Sequence, residues 1–194
     1  TFFKEKRFDE VIVVGEKLIK ERKNDTQLLL ILGLASINVK NFIDAESYFK
    51  RLISFKKTAE NFYTLGNIQK KLKKFNDAVL SFEESIKLNP NISEVYNSLG
   101  ITLKTLSKYE DAILNYKKSI NLNKKNSEAH YNLACLYFSF ENYIEAINYY
   151  KNIIKIETRH EEICERYTVC LYKTGKKTEL KNFVLSIITK YPRN

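Results

Sequence analysis

The sequence predicts an all-α array of stacked, antiparallel helix pairs, and three combs of residues with one common spacing predict it. Val11, Ala45, Ala78, Ala112, Ala146 and Leu180 fall 34, 33, 34, 34 and 34 residues apart. Gly33, Gly66, Gly100, Ala134 and Thr168 keep that period, and so do the aromatic residues Phe8, Phe42, Phe75, Tyr109 and Tyr143. Self-similarity at this length marks a repeat architecture. One helix pair cannot bury its apolar face alone, so neighbouring pairs must stack into a continuous core.

Each element of the pair follows from local pattern. Phe62, Leu65, Ile68 and Leu72 recur at helical spacing, as do Ala78, Val79, Phe82 and Ile86, so each unit holds two amphipathic helices. Gly66 and Gly100 lie inside helical stretches, where glycine costs about 1 kcal/mol relative to alanine, which predicts close approach of the partner helix. Ala78, Ala112 and Ala146 supply the facing surface. Glu10, Asp44, Asp77, Asp111, Glu145 and Glu179 open the second helices, where free amides and the helix dipole favour negative charge. An acid in the same place in every unit is a structural signal, not a catalytic one. The two prolines, Pro90 and Pro192, fall at or just past the ends of second helices, where they stop a helix without breaking one.

Period and residue types together resemble the tetratricopeptide repeat, whose pattern runs aromatic-x-x-Leu-Gly, then Ala, then aromatic, then Pro. The copy starting near Ala59 carries Phe62, Leu65, Gly66, Ala78, Phe82, Ser85 and Pro90, and the next carries Tyr96, Leu99, Gly100, Leu103, Ala112, Tyr116 and Ser119. The copy from Ser127 has His130 for the aromatic and Ala134 for Gly, with Leu133, Tyr137, Ala146 and Tyr150 in place. The copy from Glu161 departs furthest, with Cys164, Tyr167, Thr168 and Leu180 at the signature positions, while Leu171, Gly175 and Pro192 stay in register. The resemblance implies a right-handed superhelical solenoid of antiparallel helix pairs over residues 1–194, as a single array. Its repeats are expected at 26–58, 59–92, 93–126, 127–160 and 161–194, with 1–25 the second helix of a truncated repeat. That half repeat, and a sequence without Met, predict an internal stretch of a longer protein. Leu180, Val184, Leu185, Ile187 and Ile188 would then form apolar surface for more chain to cover.

The chain is 44% apolar and 29% charged, and no apolar run approaches the roughly 18 residues of a membrane span, which predicts a soluble domain. Cys135, Cys164 and Cys170 make an odd count without close pairs, so a disulfide framework is not expected and a reducing, intracellular and cytoplasmic setting is. Abundant Lys, Asn, Ile and Tyr reads as the shadow of an AT-rich genome. The net charge of +10 raises the question of nucleic acid. The excess is spread along the array, and much of it lies in turns and helix ends, such as Lys56, Lys57, Lys73, Lys74, Lys124, Lys125, Lys176 and Lys177, where lysine offsets helix dipoles. That spread argues against a nucleic-acid partner.

In the resembled family, function lies on the concave surface lined by first helices, so its groove-facing positions carry over repeat by repeat. They are Leu30, Leu34 and Asn38; then Tyr63, Asn67, Lys70 and Lys71; then Asn97, Ile101 and Lys104; then Tyr131, Asn132, Cys135 and Phe138; then Glu165, Arg166, Val169 and Lys173. Asn can donate to and accept from a peptide backbone, Tyr adds apolar area with a polar tip, and Lys or Arg can pair with acidic groups. Each is equally readable as plain solvated surface. The chaperone-binding members hold a terminal carboxylate with Lys, Asn, Asn, Lys and Arg. The corresponding residues Asn97, Ile101, Asn132, Glu162 and Arg166 do not make that clamp. The asparagine ladder of the O-linked N-acetylglucosamine transferase type reads here Ile31, Thr64, Ser98, Asn132 and Arg166, a single rung. Asn97 and Asn132 are also similar to the asparagine pair of peroxisomal import receptors.

No phosphate-binding glycine loop and no CxxC or HExxH pair is present. His130 replaces the repeat's aromatic and reads as a packed histidine. His160 and Cys164 lie one turn apart, but two ligands do not make a zinc site. Cys135 has no base beside it in sequence, so an inert thiol is expected. No catalytic residue, cofactor or metal is therefore expected. The expected function is a scaffold or adaptor binding an extended, acidic peptide or a partner helix, with self-association through repeat surfaces a further mode of contact. Two alternatives are the substrate-recruiting or regulatory arm of a larger enzyme, such as a glycosyltransferase, and a basic RNA-binding array.

Overall fold

A computed structural model describes residues 7–156 and 161–190. Pro192 and His160 lie outside the described residues. Among these residues every regular element is a helix, eleven in all: α1 (Phe8–Glu21), α2 (Thr26–Asn38), α3 (Phe42–Phe55), α4 (Ala59–Lys71), α5 (Phe75–Leu88), α6 (Ser93–Thr105), α7 (Tyr109–Leu122), α8 (Ser127–Ser139), α9 (Tyr143–Ile156), α10 (Glu161–Lys173) and α11 (Lys177–Lys190). The all-α expectation holds. The helices form two compact units that divide between Lys108 and Tyr109.

In the first unit, consecutive helices from α1 to α6 pack on one another, and α1 to α4 share a core of Ile19, Leu29, Leu32, Tyr48, Phe49, Leu52, Leu65 and Ile68. The glycines show why the pairs fit. A Cβ on Gly33 would stand 2.7 Å from the ring of Phe49, and one on Gly66 would stand 2.6 Å from the ring of Phe82. Both rings are fully buried, so neither can swing aside. Polar contacts fix the register. Ser85 Oγ donates to the Ala59 carbonyl at 2.7 Å, and Ser81 Oγ donates to Gln69 Oε1 at 2.7 Å, both tying α5 to α4. Glu46, buried on α3, meets Lys50 Nζ at 2.8 Å and Lys74 Nζ at 2.6 Å, the latter just ahead of α5. Burial alone would raise its pKa. The two lysines outweigh burial and hold the carboxyl below its ordinary value.

In the second unit, α9 packs against both α8 and α10, and the core is Ala134, Ala146, Ile147, Tyr150, Ile153, Ile163, Tyr167, Cys170 and Leu171. The divergent last pair is held by Tyr167, which stacks edge-on against Phe183 at 4.8 Å and donates through its hydroxyl to Glu179 Oε1 at 2.6 Å. Lys151 Nζ reaches the same carboxylate at 2.6 Å, so one acid of the first turn links α9, α10 and α11. Leu180 and Phe183 of α11 pack inward, while Val184, Leu185 and Ile188 are exposed.

Every first helix closes into its turn the same way. Lys40, Lys73, Ser107, Glu141 and Gly175 all adopt a left-handed backbone with φ between 58° and 69°. The next amide then reaches back to the helix, as in Asn41 N to Ser36 O at 2.8 Å and Lys74 N to Gln69 O at 2.9 Å. This satisfies carbonyls left open by the helix end.

His130 is 3% exposed, with Nε2 3.1 Å from the Lys124 carbonyl, the geometry of a ring N–H donating to it. Burial lowers its pKa from 6.5, with the carbonyl contact opposing. It is the packed histidine the repeat pattern predicted.

Two stability measurements follow from these contacts. Gly66→Ala should lower stability by about 1 to 3 kcal/mol in urea titration, despite alanine's better helix propensity, because the new methyl group meets the Phe82 ring. His130 is neutral when folded and binds a proton more readily when unfolded, so its contribution is complete above about pH 6.5 and is lost as the pH falls from there towards the folded value. His130→Phe should flatten the pH dependence of the urea midpoint over that interval.

Candidate functional site

The faces of the first helices can be built up unit by unit. On α2, Leu30, Leu34 and Ile37 recur at helical spacing, half-buried on the core, and Ile31 beside them is 42% exposed. Asn38 turns its amide back to the Leu34 carbonyl at 2.8 Å. On α4 the predicted residues separate onto two sides. Tyr63 and Lys70, seven positions apart, both address the α5 ring of Phe82, with Tyr63 at 6.0 Å and Lys70 Nζ at 5.9 Å from its centroid. Thr64, Asn67 and Lys71 instead look towards α2 and α3, where with Ile37, Phe42 and Ile68 they line a cleft of about 220 Å³. On α6, Ile101 is half-buried and Lys104 exposed. Asn97 is not an open contact. It is 3% exposed and is flanked in sequence by buried Val95, Tyr96, Ser98 and Leu99.

The second unit gathers its predicted residues more tightly. Arg166 on α10 places its guanidinium 5.5 Å from the centroid of the Phe138 ring on α8, donates to Cys135 Sγ at 3.4 Å and pairs with Glu162 at 2.8 Å. Tyr131 donates to the same Glu162 carboxylate at 2.9 Å, and Tyr150 of α9 donates to Cys135 Sγ at 3.7 Å. Burial, with Cys135 and Glu162 beside it, raises the Tyr131 pKa, and burial raises that of Tyr150, so both phenols stay protonated. Asn132 is half-buried on α8, and Lys173 is exposed at the end of α10.

Cys135 thus meets a guanidinium and a phenol. Burial raises the Cys164 thiol and pushes Cys170 up to about 11. Among the described residues, no group of three or more His, Cys, Asp and Glu is placed to hold a metal ion, and no helix is long and apolar enough to cross a membrane.

Family profiles for the tetratricopeptide repeat match residues 59–92, 81–113, 105–139 and 127–160, together running without a gap over more than half of the 194 residues. The chain belongs to the tetratricopeptide repeat family. No curated protein sequence matches it. Among solved structures, a MamA crystal structure is similar with a TM-score of 0.78 and 23% identity, covering 81% of this chain and 92% of MamA. PilF of Pseudomonas aeruginosa gives 0.77 and 15% identity over 100% of this chain and 88% of its own. YrrB, described as a TPR protein with an unusual peptide-binding site, gives 0.75 and 17% identity, covering 84% and 85%. At these identities the likeness shows the fold.

Within this TPR chain, the carboxylate-clamp position occupied by Glu162 has a second consequence. The acid already holds Arg166, so the one clamp cation present is engaged within α10. Sequence reasoning placed Arg166 and Glu162 in separate roles, although their spacing of four on a helix is the signal of a pair. Tyr150, read only as a repeat aromatic, was missed as a neighbour of Cys135. In a double-mutant cycle of Arg166→Met and Glu162→Gln, the coupling should be at most about 1 kcal/mol and should shrink in high salt, because both side chains are partly solvated.

Proposed function

We propose that this chain is a protein-interaction scaffold that docks an extended segment or a helix of a partner on the faces of its first helices. The observation that carries this reading is a division of labour. The repeat's framework residues, such as Leu65, Gly66, Ala78 and Phe82, are consumed in packing. Asn67, Lys71, Ile101, Lys104, Tyr131, Phe138 and Lys173 keep exposed or half-exposed apolar area and polar termini at the positions between. Such surfaces bind through a few well-placed contacts on a preformed support, with little ordering cost. A relative in fold, YrrB, is described as having a peptide-binding site. Three free thiols fit a reducing compartment such as the cytoplasm.

The test is retention from a lysate of the source cell, comparing the parent chain with two variants. One carries Asn67→Ala, Lys71→Ala and Lys104→Ala on first-helix faces; the other carries Ile43→Ser, Leu80→Ser and Leu114→Ser, exposed positions on second helices. Partners should be lost by about tenfold from the first variant and kept by the second, with helicity unchanged in both. Loss from the second alone would move the docking surface to the second helices.

A further inference from the structure

The cleft on the first unit is specific enough to state what it takes. Its floor is Ile37, Phe42 and Ile68, its rim is Thr64, Asn67 and Lys71, and none of the six is acidic. The Thr64 hydroxyl donates to the Glu60 carbonyl at 2.8 Å, so that hydroxyl is already committed to its own helix. The volume of about 220 Å³ suits a branched aliphatic side chain. One wall continues as α2, whose sequence TQLLLILGLASIN carries no charge. The other wall is cationic: Lys71 ends α4, and exposed Lys40 and Lys73 occupy the turns that flank the cleft residues in sequence. Lysines at a helix end are explained in part by the helix dipole. The dipole does not explain an apolar cleft beside them.

We propose, resting on the first-helix reading above, that this cleft seats a leucine, isoleucine or valine of an extended partner segment with Asp or Glu one or two residues away. The aliphatic side chain fills the floor over Ile37, Phe42 and Ile68. The adjacent carboxylate meets Lys71, and the Asn67 amide can donate to or accept from the segment's backbone. Charge complementarity selects this occupant over a basic or neutral segment, and the uncharged α2 selects it over a purely polar polyanion.

The probe is a fluorescein-labelled peptide, Gly-Ser-Glu-Leu-Glu-Glu-Gly-Ser, titrated with the full chain by fluorescence polarisation. Two controls replace its Glu residues with Lys or its Leu with Ser. The probe should bind at least about tenfold more tightly than either control, and Lys71→Glu should weaken it by a similar factor. Lys125→Glu, an equal charge change on an exposed lysine of the other unit, should not. Equal affinity for all three peptides, equal loss with both charge reversals, or no binding up to about 1 mM with helicity intact each overturns the assignment. So does Lys71-dependent binding of phosphatidylserine vesicles or polyuridine in place of the peptide. None of these results touches the first-helix reading, which the lysate comparison judges independently.

Discussion

The ring of Phe82 lies where a β-carbon of residue 66 would have to be, and much of this molecule depends on that coincidence. Close approach between the two helices of a pair requires one of them to present bare backbone, and the glycine comb supplies it at Gly33 and Gly66. The energy lost through glycine's poor helix propensity is about 1 kcal/mol per site, and it is offset by burying a whole aromatic ring. Because the contact is between backbone and ring, it fixes the rotation of the first helix as well as its distance. That rotation decides which side chains are left over for a partner. In the second unit the same place is taken by Ala134, still small, and then by Thr168, where the contact is replaced by Tyr167 against Phe183 and the shared Glu179 carboxylate.

The framework was legible in the sequence because each of its requirements restricts residue type and recurs. Small residues at the crossing, acids at the starts of second helices, and an aromatic opposite the glycine are each chosen by one local physical demand. His130 could be read as a packed ring for the same reason, since its place in the register is that of an aromatic. The faces were less legible. Periodicity places a residue on a side of its own helix, but the neighbours it meets depend on the packing of other helices. Hence Tyr63, Asn67 and Lys70 look alike in the pattern, yet two of them address Phe82 and one opens on a cleft. Asn97 reads as a groove residue and is buried, while Ile101 and Lys104 further along the same helix stay accessible. Glu162 reads as a departure from the carboxylate clamp and is the partner of Arg166.

The two units do not present equivalent surfaces. The first joins an uncharged wall to a cationic one around a cleft, so its contact capacity is open. In the second, much of that capacity is turned inward, with Arg166 held by an aromatic face, a thiol and a carboxylate. Stacked repeats allow such differences because each pair is supported mainly by its neighbours. A face can change its chemistry while the buried framework behind it stays the same.

The turns extend this independence to stability. Lys40, Lys73, Ser107 and Glu141 hold a left-handed backbone that a side-chain-bearing residue adopts at a cost of about 1 kcal/mol, while Gly175 meets the same demand freely. Four joints therefore store strain, and two of them, Ser107 and Glu141, belong to turns that do not flank the cleft. Those two form a reserve from which mutation can raise or lower the tolerance of the array to change, leaving the cleft untouched.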